Sequence, residues 1–550
     1  MKKIKFLLGI IAFTVFAGGC YEDLGNYTYR DINEVIVKVE RQYAVRRADM
    51  EYVIRPQLIQ SMALDTTNLS FEWYWNTSSD QIRGTLISTR DTVAVRINPA
   101  AVPFHFNHYF RFYVKDNITG AQYMFPVHLR VIKPYEGSWM VLHEGSDGLA
   151  RLGAVEYIGD EIQIEPNAYF RETGRNFTGR PVRLGVATYF MAYLAPAYSP
   201  TCLFFCFTDN PAESGPLKAD AYFEQYDTPL RFIFPEHLAS FDPADIQYVG
   251  GEGRGRLMVS GGELFQGSMY DTKMYRVSPA VDFTGNYNIT HGTCSGWTQL
   301  AFDSYGKRFV HFYNSNSANA NWSNFQPATE NAATFGRIRL TENSVQDVDP
   351  NSLPADQEIV FIGTGYHYGP SMVANQARHA IYGLTVSEAI GRLYFYEFHG
   401  YSLYNSGDPN DPPFAFYNDI ANTMGINTAT PVASSSAYNR LLFYGNGNTV
   451  YRLDMGTEQG AVATVYEHPN PAARVVAIKA ARDQMNGAGV NYTTVYANYG
   501  HAVTRSFAVA YEMPDGSGEL VVLNLNTAGR RESVQEGLTG FGRITDIVFI

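Results

Sequence analysis

At 550 residues the chain is too long for a single hydrophobic core and divides into two or more domains. A composition of 45% hydrophobic and 17% charged residues excludes a disordered chain, and a net charge of −12 argues against a nucleic-acid partner and against electrostatic adhesion to anionic lipid. The 48 glycines, 39 tyrosines and 35 phenylalanines favour many strands joined by many turns.

Residues 1–19 read as a lipoprotein signal peptide. Lys2, Lys3 and Lys5 form a positive start, and Phe6 to Phe16 is an apolar run too short to span a bilayer. Ala17, Gly18 and Gly19 then lead directly into Cys20, the expected lipidation site and mature N-terminus. Acyl chains contribute about 0.8 kcal/mol per buried CH₂, so a multiply acylated Cys20 would hold the body on a membrane without a basic patch. Residues 20–33 are polar and non-periodic, which suits a tether.

From 34 to 133 strand patterns follow in quick succession. EVIVKVERQY and DTVAVRI alternate, and LSFEWYWN sets Phe71, Trp73 and Trp75 on one face. YFRFYVKDNITGAQYMFPVHLRVI reads as two long strands about a turn at residues 116–120. About seven strands around a central tryptophan strand predict an immunoglobulin-like β-sandwich, with Trp73 and Trp75 in or near its core.

From 135 to 550 the pattern becomes apolar strand, glycine turn, apolar strand. SWMVLHEGSDGLARLGAVEY, GRLYFYEFHGYSLYN and NRLLFYGNGNTVYRLDM are examples. Recurrence at about 45–65 residues predicts a β-propeller of about seven blades, giving an all-β chain overall. GFGRITDIVFI at the end and GSWMVLHEG at the start are the candidates for closing the ring. PAARVVAIKAARDQMNG (471–487) has helical composition and is expected to form a short surface helix.

Together the lipobox, YEDLGNYTY, FEWYWN, V-x-D before a turn, GSWMVLHE and the terminal GFGRITDIVFI resemble the PKD-like family lipoproteins of Bacteroidota. Glu22 and Asp23 resemble that group's surface-export signal. The resemblance implies a lipoprotein of the outer membrane facing the cell exterior. It also implies a neighbouring TonB-dependent transporter with its partner lipoprotein. It supplies no catalytic residues.

The residues give little chemistry of their own. His105 and His108 are the only close histidine pair, and no third ligand is identifiable, so no metal site is expected. Ser434, Ser435 and Ser436 lack a nucleophile elbow. Asp347 with Asp349, and Asp408 with Asp411, are acidic loops of the kind a glycosidase would need, the second pair also resembling a calcium-loop fragment among turn prolines. Cys202 and Cys206 lie about 13 Å apart along a strand, too far to bridge. Either could meet Cys294, or all three remain buried thiols. No cofactor is expected.

Two aromatic loops suit sugar rings or peptide segments through stacking and hydrogen bonding. GTGYHYGPSM carries Tyr366, His367 and Tyr368, and YNSNSANANWSNFQP carries Trp322 and Phe325. The expected function is therefore non-enzymatic capture of a glycan or peptide. A propeller hydrolase or lyase and a purely structural transporter subunit are the alternatives.

Overall fold

The computed structural model describes residues 33–39, 42–45, 51–62, 65–96, 107–131, 135, 137–158, 161–189, 201–218, 224–225, 233, 235–252, 255–268, 274–280, 283–295, 298–314, 333–367, 379–400, 403, 412–481 and 505–550. The chain divides into two compact units, Met1–Val131 and Ile132–Ile550.

The first unit is a β-sandwich. Its larger sheet runs Gln42–Val45, Gln122–Val131, Asn107–Asp116, Leu69–Asn76, Thr85–Ser88, and every pairing but the first is antiparallel. Two antiparallel pairs accompany it: Val35–Lys38 with Gln57–Gln60, and Glu51–Ile54 with Val93–Arg96. Period-two alternation sends Val93 and Val95 inward and leaves Ala94 and Arg96 exposed. Trp73 is fully buried and stacks on Phe112 at 4.3 Å, while Phe71 and Trp75 pack half-buried on the same core. Asp116, the aspartate of the V-x-D sequence, ends its strand by accepting Ile118 N at 2.9 Å and Thr119 Oγ1 at 2.8 Å. The Ile118 bond is the main reason its carboxyl lies below the usual range.

The second unit is a β-propeller of seven blades, each of four antiparallel strands among the described residues, with the two-residue strand Ser278–Pro279 added parallel to Ala333–Gly336 at the edge of the fourth. The inner strands are Ile544–Phe549 (blade one), Pro181–Tyr189 (two), Ile246–Glu252 (three), Ile289–Ser295 (four), Glu358–His367 (five), Val432–Ala433 (six) and Arg474–Ala480 (seven). Each inner strand abuts the next, and the seventh returns to the first, so the ring is closed. Blades two and three are also joined by a parallel bridge, Ala187 opposite Gly251. The closing seam is the expected one: Ile544–Phe549 pairs antiparallel with Trp139–Glu144, Trp139 opposite Phe549 with ring centroids 5.0 Å apart.

Seven hydrophobic cores fill the seven gaps between blades. This explains the continuous apolar runs. Met140 and Leu142 face blade two while Trp139 and Val141 face blade seven. Likewise Phe204 and Cys206 face blade one, and Phe205 and Phe207 face blade three. A strand apolar on both faces fits only between two covering layers.

The helix expected over 471–487 is not formed in the part that is described. Arg474–Ala480 is the inner strand of blade seven. Val475 and Ile478 pack toward blade six, Val476 and Ala477 toward blade one, and pairing with Ser506–Glu512 overrides the alanine-rich composition. The hairpin in YGNGNTVYRLDM is present, but its two loop residues are Gly447 and Asn448, since Asn446 pairs with Thr449. Of the two, only Gly447 has a positive φ, 58°, as a type II′ turn requires.

One feature repeats around the ring. In six of the seven blades, among the described residues, the inner strand carries a bulge near its start: at Val182, Gln247, Thr290, Val360, Val476 and Thr545. A bulge inserts one unpaired residue and re-aims the side chains after it.

Candidate functional site

Four antiparallel strands return the chain to the end of the ring where the blade began. All first-to-second and third-to-fourth connections therefore leave from one face. Sequence segments 190–200, 368–378 and 482–504 join first to second strands, and 315–332 and 404–411 join third to fourth. Trp322, Phe325, Tyr368, Asp408 and Asp411 fall in these segments, outside the described residues. Tyr366 and His367 end the inner strand of blade five at the same face.

Tyr366 is 38% exposed, and its backbone is held firmly. Its N–H donates to Tyr382 Oη at 3.1 Å, and Arg440 N donates to the same oxygen at 2.9 Å. Tyr382 is fully buried, and burial raises its phenol, which stays protonated. Gly365 makes the approach possible, because a Cβ there would lie 2.3 Å from the Tyr382 ring. Gly363 and Gly365 of GTGYHYG thus serve ring-on-backbone packing, against Phe361 and Tyr382. Ser434 Oγ donates to Thr364 O at 2.6 Å, tying blade six to the same strand.

Behind this strand lies a charged group. Glu397 is buried and accepts Arg440 Nε at 2.5 Å, with His399 Nε2 at 3.3 Å. Burial pushes the Glu397 carboxyl up, but the His399 and Arg440 donors outweigh it and hold it below its usual range. Arg440, with φ 55°, also lays its guanidinium over Phe416 at 3.6 Å. With Arg440 and His399 as partners, Glu397 is a positioning residue for the blade five–six junction. Backbone pairing sets His367 opposite His379 at the strand ends.

The remaining sequence candidates are dispersed. Cys20 and His105 lie outside the described residues, and His108 is buried in the sandwich. Asp349 caps its own turn, accepting Asn351 N at 2.9 Å, and Asp347 is exposed beside it in sequence. Ser435 is buried and Ser436 half-buried. Cys206 and Cys294 are buried in different inter-blade cores and form no disulfide, so the bridge considered between them is not formed; the Cys202 side chain lies outside the described residues. No cluster of three potential metal ligands occurs among the described residues. Tyr382, Arg440 and Glu397 were not legible as site residues, because two strands of blade five and a turn of blade six bring them together.

A model of the PKD-like family matches residues 20–181. The PKD-like match extends beyond the sandwich through the outer strands of blade one to the first residue of blade two. No curated protein matches the chain by sequence. Solved structures similar to it include AztD of Citrobacter koseri, 11% identical over 80% of this chain and 94% of that one, with TM-score 0.35. YCF48 from Cyanidioschyzon merolae is 8% identical over 66% and 88%, with TM-score 0.33. These superpositions are too loose to carry an argument, and the propeller assignment rests on the closed ring of blades.

Proposed function

We propose that the protein is a non-enzymatic lipoprotein of the outer-membrane surface that captures a nutrient glycan or peptide for a neighbouring TonB-dependent transporter. The observation that carries this reading is topological. Tyr366 is exposed at the same ring face from which the segments bearing Trp322, Phe325 and Tyr368 depart. Aromatic residues carried on segments that leave one face of a rigid ring suit stacking on sugar rings or peptide side chains. Cys20 supplies the anchor, and the TonB-dependent partner follows from the family resemblance.

The test is a binding survey of the full chain against glycan and peptide panels. Saturable binding without product formation is expected, and Tyr366→Ala should weaken it about tenfold, as for loss of an aromatic contact. Product formation from a bound glycan or peptide would overturn the non-enzymatic reading. Copurification with a transporter, with no ligand affinity, would favour the structural-subunit alternative.

A further inference from the structure

His143 stands where the propeller is closed. It lies on Trp139–Glu144, the strand that receives the C-terminal strand Ile544–Phe549, next to the bulge between the pairs Leu142–Asp546 and His143–Ile544. It is 4% exposed, and both of its ring nitrogens are engaged by backbone groups of opposite character. Nε2 lies 2.8 Å from Pro166 O, which can only accept, so Nε2 carries the proton. Nδ1 accepts Gly542 N at 3.0 Å and carries none. The ring thus ties two pieces of chain together. One is the turn after Glu161–Glu165, the outermost strand of blade one. The other is the link from the outer strand Arg531–Phe541 of blade seven into the C-terminal strand. The fit on that side is close. Phe541 packs edge-on against the imidazole at 5.4 Å, and a Cβ at Gly542 would lie 1.8 Å from Glu144 O.

We propose that His143 is an acid-sensitive latch on the ring: as the neutral imidazole it holds the entry of the C-terminal strand, and its protonation releases that strand from the seam.

The argument is one of donors and acceptors. A protonated imidazole donates from both nitrogens. Nδ1–H would then meet the Gly542 N–H, leaving two buried donors without an acceptor. Flipping the ring brings no relief, because Pro166 O and Gly542 N call for one donor and one acceptor in either orientation. The surrounding charges do not compensate. Arg151, paired opposite His143 on the neighbouring strand, brings a positive charge. Asp147 is bound by Arg151 at 2.5 Å and Glu144 by Arg543 at 2.6 Å. Glu165, just before Pro166, accepts Asn167 N at 3.1 Å and faces Arg171 Nη1 at 3.5 Å. On the C-terminal strand Asp546 accepts Leu184 N and Ile547 N, both at 3.0 Å, with Arg183 Nη1 at 3.8 Å and Lys479 Nζ at 3.3 Å. These carboxylates already have partners. Burial is the chief reason the imidazole is held below its usual range, with Arg151 adding to it against the Pro166 and Glu144 backbone bonds. An opened seam takes up this proton near pH 6.5 and a closed one does not. Closure is therefore full above about pH 6.5 and weakens as pH falls, by at most about tenfold per pH unit for one proton.

Nothing in this inference depends on the loop face around Tyr366. Its test is hydrogen exchange of the full chain, read by mass spectrometry and corrected for the intrinsic effect of pH. Between about pH 7 and pH 5.5, protection of Ile544–Phe549 and Trp139–Glu144 should fall about five- to tenfold more than that of the blade six hairpin, Leu441–Asn446 with Thr449–Asp454. His143→Gln and His143→Asn take up no proton in this range, so in either variant the seam should lose that extra response while being weaker at every pH. The parent comparison is decisive by itself if neither variant folds. Seam protection that falls no more than that of the blade six hairpin, or a folded His143→Gln or His143→Asn variant with the parent's acid response, would overturn the inference.

Discussion

Tyr382→Phe removes one oxygen from the wall behind Tyr366. The ring is fully buried and phenylalanine fills the same space, so no cavity forms. What is lost is the acceptor for two backbone donors, Tyr366 N and Arg440 N, together with a weak donation to Tyr438 O at 3.5 Å. An orphaned buried donor costs about 1–3 kcal/mol, and Tyr366 can recruit water, so the sum is roughly 2–4 kcal/mol. At about 2.1 cal/mol/K of unfolding entropy per residue over roughly 420 residues, the propeller should melt roughly 2–5 °C lower. Differential scanning calorimetry reads this directly, and ligand affinity should fall with it although Tyr366 is untouched. A variant melting within about 1 °C of the parent, with affinity unchanged, would show that the phenol does not hold the strand.

Asp546→Ala strips the shared acceptor from blades one, two and seven. It should cost about 3 kcal/mol in urea unfolding, toward the lower end for a broken buried pair because Arg183 and Lys479 are partly exposed. Asp546→Asn, which retains an acceptor, should lose less. Stability should also fall with acid. Burial, aided by neighbouring arginine charge, lowers His291 to about 4 and His311 to about 3. The unfolded chain takes up these protons near pH 6.5 and the native state does not. Stability is therefore full above about pH 6.5 and is lost as pH falls toward 4, by up to one proton per histidine, and His291→Gln should flatten part of that slope in a melting series. Finally, Cys20→Ser should move the protein from the detergent phase to the aqueous phase on fractionation; retention with membranes would contradict a lipid anchor.

Much of the architecture was legible because two local signals are strong. Alternation around Trp73 marked the sandwich, and apolar runs broken by glycine turns marked the blades. The seam between WMVLHE and ITDIVF was legible for the same reason, since a ring cannot leave apolar edges open. The error at Arg474–Ala480 shows the limit of such reading. Alanine-rich local composition favours a helix, and only two flanking blades make a strand the better use of Val475, Val476, Ala477 and Ile478.

Sequence alone settled the class of each half and the order of the domains. The tertiary structure alone decided the functional geometry. Tyr382 and Glu397 lie on two strands of blade five and Arg440 in the turn before a strand of blade six, and Arg183, Lys479 and Asp546 lie on three different inner strands. Spacing along the chain carries no trace of either cluster. The first exists because adjacent blades pack face to face, and the second because a closed ring brings inner strands far apart in sequence together, where single-residue bulges re-aim Arg183 and Asp546.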